Sequence, residues 1–189
     1  TAVALEVIRH HRLLELFPNN ATQLLRRLAV NREVSREERI RDLKKACATP
    51  APDPSLFIEM ARALQGDARF LGEARFWLKR AFAARPMDSN AIMVRADLAW
   101  NDGRFEEATD LYWFAATLEE FREGYYQKWF LACRRTRRTE AALSHLRERF
   151  TRFGTRSDRP ALTLAWALRE LEQDKQAKEV LAEAVRLRL

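Results

Sequence analysis

The sequence is poor in the residues that interrupt helices and form tight turns. It contains only five glycines and six prolines in 189 residues, and most of them lie at the ends of helix-like stretches. Short β-hairpins depend on glycine and other turn-forming residues in their loops. The scarcity of these residues therefore favours an all-α fold over a β-sheet protein.

Cysteine is nearly absent as well. Cys47 and Cys133 are far apart in the chain, and neither has a partner at the spacing of a metal-binding or thiol-exchange motif. We therefore expect both to be small, buried, apolar side chains. Two isolated cysteines leave open whether the compartment is oxidising or reducing.

Long apolar runs are also missing. The longest runs from Ala161 to Leu168, which is far shorter than the roughly 20 residues that cross a bilayer. The first residues, Thr1 to Arg12, have the pattern of an amphipathic helix rather than of a secretion signal. The sequence predicts no transmembrane segment in this fragment, and the localisation stays open between the bacterial periplasm and the cytoplasm.

The sequence contains no recognisable catalytic motif. There is no glycine-rich phosphate loop, nucleophile elbow, zinc-protease helix or calcium loop. The only histidines are His10, His11 and His145, and the adjacent pair would point to different faces of a helix. The sequence therefore predicts a non-catalytic protein with no metal site and no cofactor.

Basic residues outnumber acidic ones, giving a formal net charge of +7, and most of them are arginine. Arginine suits planar recognition of carboxylate or phosphate groups. Many arginines lie between residues 134 and 159: Arg134, Arg135, Arg137, Arg138, Arg147, Arg149, Arg152, Arg156 and Arg159. They could form a solvated surface that keeps the protein soluble or a phosphate-binding patch. Nucleic-acid binding would require the patch to be continuous and aromatic platforms to lie beside it.

An internal repeat is the strongest signal in the sequence. Pro18, Pro52 and Pro86 are 34 residues apart. Three further columns share this spacing, one of small residues, one of large apolar residues and a second of small residues: Ala74, Ala108 and Ala142; Leu78, Tyr112 and Leu146; Cys47, Ala81 and Ala115. Four columns in one register indicate repeated structural units of about 34 residues.

Each unit has the pattern of two amphipathic helices. In residues 89–122 the first helix is predicted from Ser89 to Trp100, the segment Asn101-Asp102-Gly103 ends it, and the second begins near Phe105. Apolar residues then form one stripe along the second helix: Ala108, Leu111, Tyr112 and Ala115. The two helices are expected to form a hairpin that buries this stripe.

Three segments resemble the tetratricopeptide repeat family: Asn101 through Ala108, Ala81 through Pro86, and Leu14 through Asn20. They are similar to the turn, the second-helix alanine and the closing proline segment of that family. The resemblance implies an all-α, right-handed superhelical solenoid of antiparallel helix hairpins. The whole chain, 1–189, is then one solenoid fragment, cut from a longer solenoid. We expect a lone second helix at 1–20, followed by repeats at 21–54, 55–88, 89–122, 123–157 and 158–189, the last shifted by one residue.

The resemblance also implies a partner-binding groove on the concave surface, which is lined chiefly by the first helices. The groove positions carried over from the family are Met93, Asp97, Trp100, Asn101, Gln127, Leu131, Arg134, Arg135, Leu162, Trp166, Arg169 and Glu170. Aromatic and basic residues are mixed there, which suits an acidic peptide segment. Trp100 stays in the groove even if that unit is displaced by one residue, and its alternative role is packing between repeats. The lysine and asparagine clamp of chaperone-tail receptors is replaced by Met93, Asp97, Gln127 and Leu131, which disfavours that function.

These observations predict a protein–protein interaction scaffold whose partner is another protein or an acidic peptide segment. The family resemblance suggests a fragment of a larger bacterial assembly or of an envelope or exopolysaccharide-export protein. The alternative is an RNA- or DNA-binding helical-repeat module that uses the arginine-rich turns.

Overall fold

The computed structural model describes residues 34–187 continuously, together with a few isolated positions before them. Residues 34–187 form nine α-helices, one 3-10 helix and no strand. The α-helices are α1 (Arg36–Cys47), α2 (Pro54–Leu64), α3 (Leu71–Ala84), α4 (Ser89–Asn101), α5 (Phe105–Leu118), α6 (Glu123–Arg135), α7 (Thr139–Phe153), α8 (Arg159–Arg169) and α9 (Asp174–Arg186), and the 3-10 helix is Ala68–Phe70. The predicted all-α fold is confirmed for this part of the chain. The predicted lone helix 1–20, with His10 and His11, and the first helix of repeat 21–54 fall almost wholly outside the described residues.

The chain divides into two compact units, one up to Val94 and the other from Arg95 onward. In the first unit α1 packs on α2, and α2 packs on α3. Asp53 caps the N-terminus of α2 by accepting a hydrogen bond from the backbone N–H of Ser55 at 2.8 Å, and Pro54 occupies the first helical position. Local sequence thus fixes where the central helix of this unit begins.

In the second unit each helix from α5 to α9 packs against the next one along the chain. In addition, α6 contacts α8, so that the first helices of two successive hairpins touch each other. Contacts that run only between neighbouring hairpins are typical of a stacked helical repeat. The division into five repeats stays a prediction, since much of the first one lies outside the described residues.

The turn between α4 and α5 forms as the sequence predicted. The first helix ends at Asn101, the second begins at Phe105, and Gly103 between them has a positive φ of 78°. The backbone N–H of Arg104 donates to the carbonyl of Ala99 at 2.9 Å, which is the hydrogen bond that closes a Schellman helix cap. Glycine is suited to this position because a Cβ atom disfavours the left-handed region.

The same cap recurs in the two hairpins that follow. Arg137 and Glu172 occupy the left-handed position with φ of 59° and 60°. The N–H groups of Arg138 and Gln173 donate to the carbonyls of Cys133 and Leu168 at 2.8 and 2.9 Å. The same backbone conformation therefore recurs at positions that do not hold glycine. A non-glycine residue can adopt it when neighbouring hydrogen bonds compensate for its strain.

The small residues predicted for close helix contacts are all buried. Ala74, Ala108 and Ala142 are fully inaccessible to solvent, and so is Ala177, which holds the matching position in α9. Helix axes approach to about 8–10 Å only where the side chains at the contact are small. These alanines therefore allow each second helix to lie close to its neighbours.

Replacing Ala108 with leucine should destabilise the fold by about 1–3 kcal/mol, because the larger side chain has no space between the packed helices. Ala141→Leu is the matched control, since Ala141 is exposed on α7 and its substitution should cost less than about 0.5 kcal/mol. Urea titrations followed by circular dichroism measure both changes. Equal stabilities for the two variants would contradict the close-contact role.

A buried ion pair links three helices of the second unit. Arg149 on α7 is only 7% exposed and binds both carboxylate oxygens of Glu123 at 2.9 and 2.7 Å. Arg149 also donates to the carbonyl of Glu120, its guanidinium lies 4.0 Å from the ring centre of Tyr126, and the Thr163 hydroxyl donates to Glu123. In the sequence, Arg149 belongs to the group of arginines predicted to form either a solvated surface or a phosphate-binding patch. That grouping is wrong for this residue, because its helix position faces the interior.

Arg149→Leu should lower the free energy of unfolding by about 3 kcal/mol, because it leaves the Glu123 carboxylate without its cation in a mostly buried site. The double variant Glu123→Gln, Arg149→Leu should be less destabilised than Arg149→Leu alone, since no uncompensated charge remains. Arg147→Leu, at an exposed position on the same helix, is the control. Chemical denaturation of the three variants measures their free energies of unfolding. A double variant that is less stable than Arg149→Leu alone would contradict the prediction.

Candidate functional site

The predicted groove residues of the last two first helices come together in the structure. Leu131 on α6 and Leu162 on α8 are 43% and 53% exposed, which is high for large apolar side chains. Trp166 is half-buried and packs edge-on against Phe130, with ring centres 5.8 Å apart. Because α6 and α8 pack against each other, we treat the exposed parts of Leu131, Leu162 and Trp166 as one candidate apolar patch. We call the patch and the charged residues beside it the first-helix surface.

Arginine side chains border this surface. Arg134 of α6 forms an ion pair with Glu170, which follows α8, at 3.1 Å. This contact joins two of the predicted groove positions across the two helices. Arg169 is exposed and makes no ion pair with any of the described residues. Arg135 lies 4.9 Å from the ring centre of Phe105, which restrains it near the start of α5.

Asp97 already has partners within the protein. Its carboxylate accepts a hydrogen bond from the Tyr112 hydroxyl at 2.6 Å and binds the Lys128 ammonium at 2.6 and 2.8 Å. Burial raises the pKa of the Tyr112 hydroxyl, and the bond to Asp97 adds to this effect. Asp97 thus connects α4, α5 and α6. The sequence analysis did not identify Lys128 or Tyr112 as its partners, because their proximity depends on how three helices pack.

The other predicted groove residues differ in exposure. Met93 is buried and offers almost no side-chain surface to a partner. Asn101 is exposed, and Gln127 is half-buried. Trp100 is half-buried and packs edge-on against Phe105, with ring centres 4.8 Å apart. For Trp100 the structure therefore shows internal packing within its own hairpin, together with partial exposure.

The arginine-rich segment from residue 134 to residue 159 is interrupted by internal contacts. Arg138 binds Glu106 at 3.2 Å and Asp110 at 2.9 Å, both on α5. Arg159 donates to the carbonyl of Phe121 at 2.9 Å. Together with the burial of Arg149, these contacts divide the segment into separate side chains with different roles. These internal contacts disfavour a continuous phosphate-binding strip in this segment.

Both cysteines are buried, as predicted, and burial raises the pKa of each thiol to about 11. A thiol with this pKa is almost fully protonated at neutral pH and is a poor nucleophile. Among residues 34–187, no group of three or more histidine, cysteine or acidic side chains is placed to hold a metal ion. No helix in the same range is both long enough and apolar enough to cross a bilayer.

Native Cys47 and Cys133 should react slowly with an aromatic disulfide reagent at pH 8. A pKa of about 11 leaves roughly one thiol in a thousand as thiolate at that pH, whereas an exposed thiol is about a quarter ionised. Reaction in denaturant should therefore be more than tenfold faster than in buffer, and the native rate should rise towards pH 11. The release of the coloured thiolate measures both rates. Rapid native reaction at pH 8 would contradict the burial of the thiols.

The described residues have the all-helical fold of a tetratricopeptide-like helical-repeat protein. Solved structures of MamA share this fold. The MamA 41-end structure from Desulfovibrio magneticus RS-1 has a TM-score of 0.56 and 17% identity, covering 92% of this chain and 93% of its own. A MamA RS-1 double mutant gives a TM-score of 0.55 with 18% identity, and the match covers 92% of this chain and 93% of the mutant's chain. A further MamA crystal structure gives 0.54 with 17% identity, covering 78% and 80%.

No protein-family model matches the sequence, and no curated protein matches it either. At 17–18% identity, the similarity to MamA shows a shared fold. Function has to be argued from the surfaces of this chain, because one fold can support many activities.

Proposed function

We propose that this chain is a non-catalytic protein-interaction scaffold whose first-helix surface holds an acidic peptide segment of another protein. The exposure of Leu131 and Leu162 on two adjacent first helices carries the proposal. Large aliphatic side chains grouped on a surface gain free energy when a partner covers them. The charged residues that border the two leucines then determine which partners fit.

The charges at this surface favour an acidic partner. Arg169 has no ion-pair partner among the described residues, so its guanidinium is available for a carboxylate. Arg134 binds the carboxylate of Glu170 across the two helices, and this supports the proposal that a partner's carboxylate could compete for it. A partner segment could place an apolar side chain between Leu131 and Leu162 and acidic residues near Arg169. Such a segment would cover the exposed leucines and supply a carboxylate to the guanidinium.

The alternative of RNA or DNA binding is less well supported. It needs a continuous basic strip, because affinity for nucleic acid depends on many simultaneous phosphate contacts. The internal contacts of Arg138, Arg149 and Arg159 occupy three of the arginines on which that alternative relied. The expectation of an envelope or exopolysaccharide-export setting rests on the family resemblance alone.

A capture experiment with matched variants tests the scaffold proposal. The full chain and the variant Leu162→Ala, Arg169→Ala are immobilised and exposed to lysate of the source cell. The control is Val185→Ala, Arg186→Ala, which removes the same kinds of exposed side chain from α9. We expect the first variant to lose at least tenfold in recovered partner, because central apolar and arginine contacts dominate interface energies. The control should recover as much as the parent.

Equal recovery by the parent and the Leu162→Ala, Arg169→Ala variant would place the binding site elsewhere. Partner variants in which acidic residues become amides should bind more weakly, and unchanged binding would contradict the acidic character of the segment. Tight binding of a random oligonucleotide at about 150 mM salt would instead favour the nucleic-acid alternative.

A further inference from the structure

A cavity in the second unit is lined mainly by residues of second helices and of the turn after α5. It has a volume of about 390 Å³. Trp113 and Thr117 of α5, Glu120 of the following turn, Tyr126 of α6, and Arg152 and Phe153 of α7 are among the residues that line it. We call it the second-helix cleft. It shares no residue with the first-helix surface.

The aromatic walls of this cleft are fixed by contacts within the protein. Trp113 packs on Trp129 and on His145, with ring centres 4.5 and 5.0 Å apart. Tyr126 is held by the buried guanidinium of Arg149, and Phe153 packs edge-on against Phe121 at 5.4 Å. Walls that are already ordered lose little conformational freedom when a ligand enters, which favours binding.

An exposed apolar stripe runs next to the cleft. Phe114, Leu118 and Phe121 are 41%, 38% and 40% exposed. Phe114 and Leu118 are four residues apart on one side of α5, and Phe121 lies in the turn that follows the helix. Thr117 and Glu120 of the cleft are their direct neighbours in sequence, and Phe121 contacts the cleft residue Phe153. A small molecule inside the cleft would leave this stripe uncovered. A polypeptide segment could enter the cleft and cover the stripe at once.

Two charged groups of opposite sign line the cleft without an ion-pair partner in the described part of the chain, whereas Glu148, a further cleft residue, lies 3.6 Å from His145. The Arg152 guanidinium lies over the Phe153 ring at 4.9 Å but pairs with no carboxylate there. The Glu120 side chain likewise has no cation within ion-pair distance, since only its backbone carbonyl binds Arg149. A complementary ligand therefore carries both an acidic and a basic group around an apolar one.

We infer that the second-helix cleft binds a segment of a partner protein in which one large apolar side chain is flanked by a basic and an acidic residue. The apolar side chain occupies the cavity against Trp113 and Phe153. The acidic residue pairs with Arg152, and the basic residue pairs with Glu120. The inference rests on the proposed scaffold function but concerns a different surface, so that one chain could hold two segments.

The probe is the tripeptide acetyl-Lys-Phe-Glu-amide, titrated into the isotopically labelled full chain and followed by nuclear magnetic resonance. We expect shifts at the indole N–H of Trp113 and at the backbone of Thr117 and Phe153. Arg152→Gln should weaken binding up to about fivefold, which is typical of one exposed ion pair. Arg147→Gln is the matched control, because Arg147 is exposed on the same helix but does not line the cleft. Thr117→Trp should abolish binding by filling the cavity.

Several results would overturn the inference. The uncharged probe acetyl-Gln-Phe-Gln-amide could bind as tightly as the charged tripeptide. Arg147→Gln and Arg152→Gln could weaken tripeptide binding equally, or the resonance shifts could be confined to residues outside the cleft. Binding of free phenylalanine as tight as that of the tripeptide would indicate a small-molecule site instead. Circular dichroism checks that Thr117→Trp folds. If that variant is unfolded, the surface variant Arg152→Gln still tests whether binding depends on the cleft.

The two experiments separate the two proposals. If the Leu162→Ala, Arg169→Ala variant loses partner capture and the tripeptide does not bind, the scaffold proposal stands and the proposed binding site in the cleft is refuted. Probe binding that depends on Arg152, with unchanged capture by the Leu162→Ala, Arg169→Ala variant, would keep the cleft and remove the first-helix surface as the binding site.

Discussion

Close packing of neighbouring helices is the constraint on which the described structure depends. Each second helix from α3 onward places one alanine at the point of contact: Ala74, Ala108, Ala142 and Ala177. A larger residue there would push the helices apart and expose the apolar stripe on either side. The hairpin turns, the ion pairs and the candidate surfaces all presuppose this spacing.

The arginines of this basic chain serve the packing as much as the surface. Arg149 binds Glu123 inside the second unit, and Arg138 joins the turn before α7 to the acidic residues at the start of α5. Such contacts use the planar, multiply donating guanidinium group to connect helices that are far apart in sequence. Arg152, which lines the second-helix cleft, and Arg169 at the end of α8 are among the described arginines that pair with no carboxylate. These two therefore mark the second-helix cleft and the first-helix surface as places where a partner could supply one.

The hairpin turns show how a repeat can persist when its sequence signal fades. Gly103 announces the turn before α5, whereas Arg137 and Glu172 form the same left-handed cap without glycine. The cap hydrogen bonds are made by the backbone, so they are available to any residue sequence that tolerates the strain. The shared fold with MamA at 17–18% identity is consistent with this, because such backbone hydrogen bonds do not require the same residues.

The sequence alone determined the all-α fold, the hairpin from Ser89 to Leu118, the burial of both cysteines and the alanine contacts. These depend on local periodicity and on residue size, which a single sequence displays directly. The partners of charged groups were decided only by tertiary structure. The contacts of Asp97 with Tyr112 and Lys128, the burial of Arg149 and the second-helix cleft each involve side chains from three helices. Their distances follow from packing angles that no residue spacing specifies.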